Sequence, residues 1–392
     1  MRVDPILRRV DLHIIFCITM IAVMEVSVVS PVLPAVATAL CLTSREANLL
    51  IVVFTLPGIF LSPLMGILAD RFGRKKVLIP SLITFGICGS SCFFVDSFTL
   101  LLVLRFLQGA GSASIGSLNQ TIIGDLFPGR ERIRAMGYNS SIVSIGTMIY
   151  PAIGGAVALL GWHYPFLVSS LAFPVALLAA LNLDTPKINH NGKFREYLKT
   201  SFQLIRKKNV LSLYFGTMSA FVLLYGILLA FYPFLMRHRF GASTFEIGLV
   251  ISATSVGAII GALNLGRLSG IFSPKKLIIA AFAIYIISFI IAFYSGNIFL
   301  FVLPVFIHGF ANGLLIPNIQ TQISIIAPIE IRGAFMSINS SVLRMGQTFG
   351  PLASGIILAV AGEPYVFLAG VVFAAAAIIT VAWGVKDNVV LN

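Results

Sequence analysis

The chain has 392 residues, of which 58% are hydrophobic and 10% charged, and its mean hydropathy is +0.99. A soluble domain is excluded, because so apolar a chain cannot cover a wetted surface; a bilayer is the solvent its composition fits. A net charge of +13 raises nucleic acid as a partner, and the placement of that charge argues against it.

A helix that crosses hydrocarbon needs about 20 apolar residues. Twelve segments meet that need in chain order: 12–36, 47–69, 77–96, 98–126, 135–160, 163–184, 211–236, 243–267, 276–295, 298–327, 333–361 and 363–385. Val77 to Val95 holds 19 residues without Asp, Glu, Lys or Arg. Leu277 to Ile329 holds 53, broken by Gly296-Asn297, which is room for two spans and a tight turn. The expected fold class is an all-α polytopic membrane protein with 12 transmembrane helices. No small-residue cleavage site follows the basic N-terminus, so span 1 is read as retained.

The 27 Lys and Arg sort by side. With the N-terminus inside, the inner segments hold 22 of them, including Arg71, Arg74, Lys75 and Lys76 and seven between Lys187 and Lys208. The outer loops hold three, Arg45, Arg237 and Arg239; Arg105 and Arg344 lie within spans. This positive-inside bias predicts a cytoplasmic membrane with both termini in the cytoplasm. The four cysteines show no metal or disulfide framework. No metal site, glycine-rich phosphate loop, catalytic motif or channel filter is found, so neither an enzyme nor a cofactor is expected.

The chain repeats itself at an offset of 200 residues. Phe72, Lys75 and Lys76 meet Phe272, Lys275 and Lys276. Gly109 meets Gly309, and Gln120-Thr121 meets Gln320-Thr321. Asn139-Ser140-Ser141 meets Asn339-Ser340-Ser341, and Gly146, Pro151 and Gly155 meet Gly346, Pro351 and Gly355. The repeat predicts two pseudo-symmetric six-helix bundles, 1–184 and 211–392, joined by a cytoplasmic basic linker at 185–210. Six spans per half make the repeats parallel, about an axis along the membrane normal, with a solute site between them at mid-membrane.

Glu25 is the one acid deep in a span. A carboxylate there costs several kcal/mol unless paired or protonated, so the residue suits loading and release of a proton. In span 4, Arg105, Ser112 and Asn119 share a helix face. That face is expected to line the cavity, with Arg105 either modulating Glu25 or holding helices together. In span 11, Ser340, Arg344, Gln347 and Pro351 share a face, and an anionic solute would give Arg344 a direct binding role. Phe221, Tyr225 and Tyr232 in span 7, and His308 and Asn312 in span 10, are further cavity candidates or packing residues.

Several stretches resemble the major facilitator superfamily, in particular its twelve-span drug:proton antiporter branch. Gly66 to Lys75 (GILADRFGRK) is similar to the family's loop 2–3 motif throughout. Leu104 to Gly111 resembles the span-4 motif, Glu25 to Pro34 the span-1 pattern, and Gly124 to Pro128 with Arg132 the end of span 4. The span-5 antiporter motif is matched at Gly137, Gly146, Pro151, Gly154 and Gly155, but Tyr150 stands where it has glycine. The resemblance implies a major facilitator fold and proton-coupled efflux of small lipophilic or amphiphilic solutes, driven by the proton gradient with no cofactor. It implies a cytoplasmic gate of Gly66, Asp70, Arg71, Gly73, Arg74, Lys75 and Arg132, with Asp125 joining the gating ion network. A monomer in the lipid bilayer is expected. Two alternatives stay open: a facilitator or importer of an organic anion, sugar or lipid, and a non-transporting receptor or assembly protein.

The repeat distinguishes Asp70 from the charges around it, because Gly270 takes its place in the second half. An anion is stabilised at a helix N-terminus. Asp70 is therefore expected to latch the inner gate of the outward-facing state against the start of span 11, near Gly333.

Overall fold

The computed structural model describes residues 5–183, 207–327 and 332–385. Most of the linker expected at 185–210 lies outside the described residues. The spans are α1 (Val10–Ser27), α2 (Ser44–Phe72), α3 (Arg74–Ser91), α4 (Phe98–Leu126), α5 (Gly129–Val157), α6 (Ala172–Asn182), α7 (Lys208–Leu223), α8 (Thr244–Ser269), α9 (Pro274–Tyr294), α10 (Ile298–Ile326), α11 (Arg332–Ala361) and α12 (Glu363–Gly384). Among the described residues all regular structure is helical.

Among the described residues, ten spans are long and apolar enough to cross a membrane by length and composition alone. The other two are the expected spans 1 and 11. Span 1 is interrupted: α1 ends at Ser27, a tight turn covers Ser30–Val32, and Leu33–Ala39 resumes the helix. Span 11 is one helix of 30 residues, diluted by Arg344 and by a polar run that includes Asn339, Ser340 and Ser341. Span 7 is irregular at the corresponding depth, where Leu224–Phe231 winds as a π-helix before Tyr232–Phe240. Thus the first helix of each half breaks before it leaves the membrane.

The repeat recurs in three dimensions. Thr43 and Glu46 form a reciprocal capping box at the start of α2, and Ser243 and Glu246 repeat it at the start of α8. Each box supplies partners for amides that the first helical turn leaves without them. Thr19 of α1 donates to Asn139 of α5. In the second half Thr217 of α7 donates to Asn339 of α11 at 3.0 Å. The threonines are 198 residues apart and the asparagines 200, so the register slips by two in the first helix of each half.

Close helix packing follows the same symmetry. A methyl at Gly109 of α4 would overlap the Phe54 carbonyl oxygen of α2, and one at Gly309 of α10 would overlap the Thr254 carbonyl oxygen of α8. Within a membrane such small residues let backbones approach and gain van der Waals contact. Gly116, with no atom within 4 Å of a built Cβ, is the control. Replacing an unconstrained helix-interior glycine by alanine is worth up to about 1 kcal/mol. Forcing a methyl into a packed contact costs about 1–3 kcal/mol. Gly109→Ala and Gly309→Ala should therefore lower the thermal unfolding midpoint of the purified protein, and Gly116→Ala should leave it level or raise it. Equal shifts for all three would refute this account of the packing.

Candidate functional site: the seam between the halves

The two halves meet on the side away from the termini, here called the distal side. On one flank α5 lies against α8. A Cβ at Gly155 would overlap the Thr244 carbonyl oxygen, and one at Gly248 would overlap the Pro151 carbonyl oxygen. Thr244 also donates from Oγ1 to the Gly155 carbonyl at 2.8 Å. On the other flank α2 lies against α11. Thr55 and Thr348 share a hydrogen bond of 2.9 Å, and Gly355 faces Arg45 and Asn48. Between the flanks the broken helices touch: Ser30 donates to the Leu229 carbonyl at 2.6 Å. Leu229 lies in the π-helical turn, where the changed winding alters which carbonyls the helix itself engages. Outside this closure a vestibule of about 670 Å³ is lined by both halves, with Thr38, Leu42, Phe234, His238 and Leu358 among its walls.

Further towards the termini on the α2–α11 flank, the Arg344 stem lies 3.0 Å from a Cβ built on Gly58. Beyond it, Ser140, Ser141, Val143 and Ile145 of α5 are exposed. A Cβ at Gly66 or Gly137 would meet nothing within 4 Å. Among the described residues the structure is closed on the distal side and open on the terminal side.

The sequence-predicted gate lies at that open end. Gly73 takes φ of +100° between α2 and α3, a conformation that favours glycine. The turn sends Arg74 inward, buried, with Nε 3.1 Å from Asp125 Oδ2 at the end of α4. Arg71 is exposed and lies over the Phe72 ring, Lys75 is half-buried, and exposed Arg132 sits beside Gly124. The side chains of Asp70 and Glu25 lie outside the described residues. The Glu25 backbone is in the last turn of α1, next to the break. Arg9 joins the same end, donating to the Leu126 carbonyl at 3.3 Å and stacking over Phe127.

The expected cavity residues are placed as follows. Arg105, Ser112 and Asn119 are at most 3% exposed, so in this conformation their shared face is packed inside the first half. Arg105 donates to the Leu50 carbonyl at 3.2 Å and to Gln108 Oε1 at 2.7 Å, and lies over the Phe54 ring. Asn119 donates to Thr19. Tyr232 is fully buried against Phe301, and His308 lies over the Tyr285 ring at 4.5 Å. Asn312 accepts from the Tyr285 hydroxyl at 2.5 Å. Phe221 borders a small internal space with Thr217, Ile316 and Gln320, and Tyr225 packs near it. Arg344 is half-buried at the head of the opening and donates to Gln347 Oε1 at 3.2 Å. In the packing motif Gly146 meets Met20 and Val23 of α1, Tyr150 is buried, and Gly154 abuts the Val28 carbonyl beside the break.

Sequence reasoning missed Ser30, Thr55, Thr348, Thr244 and Gly248. Hydroxyls and glycines in apolar helices carry no charge or motif to mark them. The repeat was the one available signal, since it pairs Gly248 with Asn48 and thereby aligns the two flanks.

The family model described as Major Facilitator Superfamily matches residues 15–237 and 213–390. Among curated proteins, Multidrug resistance protein 2 of Bacillus subtilis (strain 168) is 27% identical over 380 residues, 94% of each chain. Quinolone resistance protein NorA of Staphylococcus aureus (strain COL) is 25% identical, over 88% of this chain and 89% of its own. Two solved structures share the fold. A bacterial homologue of the human lysosomal transporter Spinster, inward-facing and occupied, aligns with a TM-score of 0.78 at 20% identity, over 95% of this chain and 96% of its own. The D-xylose-proton symporter aligns with a TM-score of 0.77 at 19% identity, over 96% and 97%. With its helices in two related halves and both halves matched by the family model, the chain belongs to the Major Facilitator Superfamily, a family of membrane transporters and not of enzymes.

Proposed function

We propose that the chain exports small lipophilic or amphiphilic solutes from the cytoplasm in exchange for protons, by alternating access. The observation that carries the reading is the one-sided seam. It is closed distally by small residues and hydroxyls and open on the terminal side, so it is built to part and re-form as a unit. The bias of Lys and Arg supports a cytoplasmic terminal side. The names of the Bacillus and Staphylococcus relatives support efflux of drug-like solutes. In this scheme Glu25 carries the proton, and the proton gradient of a cytoplasmic membrane is the energy source, with no cofactor. Arg105 and Asp125 serve as supports of the coupling helices and the gate.

The test is flux in proteoliposomes loaded with ethidium as a lipophilic probe. An imposed pH gradient should drive accumulation against the dye gradient, and a protonophore should abolish it. Flux indifferent to the gradient would defeat the proposal. A second reading is facilitated movement of an organic anion, favoured by the half-buried Arg344 beside Gln347 at the head of the opening. It predicts gradient-independent counterflow of an anionic dye such as carboxyfluorescein, lost in Arg344→Gln.

A further inference from the structure

The two flanks of the distal seam are related by the repeat but are not energetically alike. On the α5–α8 flank the contact is backbone on backbone at Gly248, and the nearby Thr244 hydroxyl has a partner across the seam. Two hundred residues earlier, the α2–α11 flank has Asn48 in place of Gly248. Asn48 is 1% exposed, and neither Nδ2 nor Oδ1 has a hydrogen-bond partner among the described residues. Across the seam it faces Gly355, where a built Cβ would sit 3.3 Å from Nδ2.

A buried donor and acceptor left unmade carry the full desolvation penalty, whereas an apolar group of the same shape does not. The penalty applies to one state alone. Asn48 lies one turn inside the distal start of α2 at Ser44, so parting the seam returns the amide to water. Its opposite number, Gly248, has no side chain to desolvate.

We infer that Asn48 is a positioning residue for the transport cycle, a desolvated amide that destabilises distal closure and so keeps the seam ready to reopen. It acts through the α2–α11 contact and not on the solute. The inference rests on alternating opening of the seam, and neither on proton coupling nor on the solute's identity. It therefore holds for the exporter and for the facilitator alike. The α2–α11 flank thus carries both the Thr55–Thr348 bond, which favours closure, and Asn48, which opposes it.

The test reads the seam without solute or pH gradient, so its outcome is separate from that of the transport proposal. Spin labels at Thr38→Cys and His238→Cys, on opposite halves of the vestibule in a cysteine-free protein, report the distance across the distal mouth. Asn48→Leu should raise the ratio of closed to open distances about tenfold. Asn48→Gly should shift it the same way, and Asn48→Asp should shift it towards open. In flux assays Asn48→Leu should lower the terminal-side KM, because more molecules stand ready to bind there, and lower the turnover that needs reopening. General damage to the fold would not follow the order Leu, Asn, Asp. Distance ratios that ignore this order, or a Leu variant that opens the seam, would overturn the inference.

Discussion

Gly248→Val is expected to leave a folded transporter whose distal seam cannot close, with transport reduced about a hundredfold. A side chain at Gly248 runs into the carbonyl oxygen of Pro151, and one at Gly155 into that of Thr244. Both obstacles are backbone of a facing helix, so no rotamer change relieves the overlap. Overpacking of this kind costs typically 1–3 kcal/mol, and two-state elements respond by changing population. About 3 kcal/mol is enough to shift an equilibrium by roughly two powers of ten. The overlap exists only while the seam is closed, so the fold itself is spared and the distal-open state accumulates. Gly155→Val should behave alike. Gly355→Ala is the control, because its methyl meets Asn48 at 3.3 Å and Arg45 at 3.4 Å, contacts that a slight shift of either side chain or helix absorbs. The check is transport together with cysteine accessibility on each side of the membrane. Gly248→Val protein that transports at the native rate, or that still shields the distal mouth, would contradict the assigned role of the seam.

The apolar runs and the 200-residue offset made the twelve spans and the two halves legible, because burial in lipid leaves a compositional trace and small-residue packing repeats with the fold. The ion pair of Arg74 and Asp125 was signalled only through the resemblance, which places an acid at the end of span 4 beside the loop 2–3 arginines. The expected cavity face of α4 shows the limit. A spacing of seven residues places Arg105, Ser112 and Asn119 on one face, but it does not say whether that face meets open space or another helix. Here α1 and α2 cover it, and Arg105 bonds to Leu50 and Gln108 within its own half. Ser30 was hidden for another reason: its partner is the Leu229 carbonyl, four residues before Pro233, which has no N–H to offer it, and the two-residue slip in the first helix of each half takes that pair off the 200-residue register. No charge or motif marks Asn48 in the sequence. Its burial depends on a helix that begins nearly three hundred residues later.

Glu25→Gln is expected to abolish gradient-driven accumulation while sparing counterflow. The substitution keeps the shape of a protonated glutamate and removes the site that titrates. A proton can bias two conformations only through a difference in its affinity for them. Glutamine binds no proton in either state, so a pH gradient has nothing to act on. For one proton exchanged per solute, a two-unit gradient supports about a hundredfold accumulation, since each unit is a tenfold ratio. The variant should reach a ratio of one under the same gradient, with exchange of labelled for unlabelled solute at a comparable rate. In the proposed cycle the backbone links this acid to the distal seam. Glu25 is in the last turn of α1, and Ser30, which donates across the seam to Leu229, follows just beyond the break. Val28 between them supplies the carbonyl that Gly154 of α5 abuts. In the proposed cycle a change of charge at Glu25 is therefore expected to act on the segment that closes the distal side, where the proton enters. Accumulation that survives in Glu25→Gln would move the coupling site elsewhere, while loss of counterflow as well would make Glu25 a structural member of span 1.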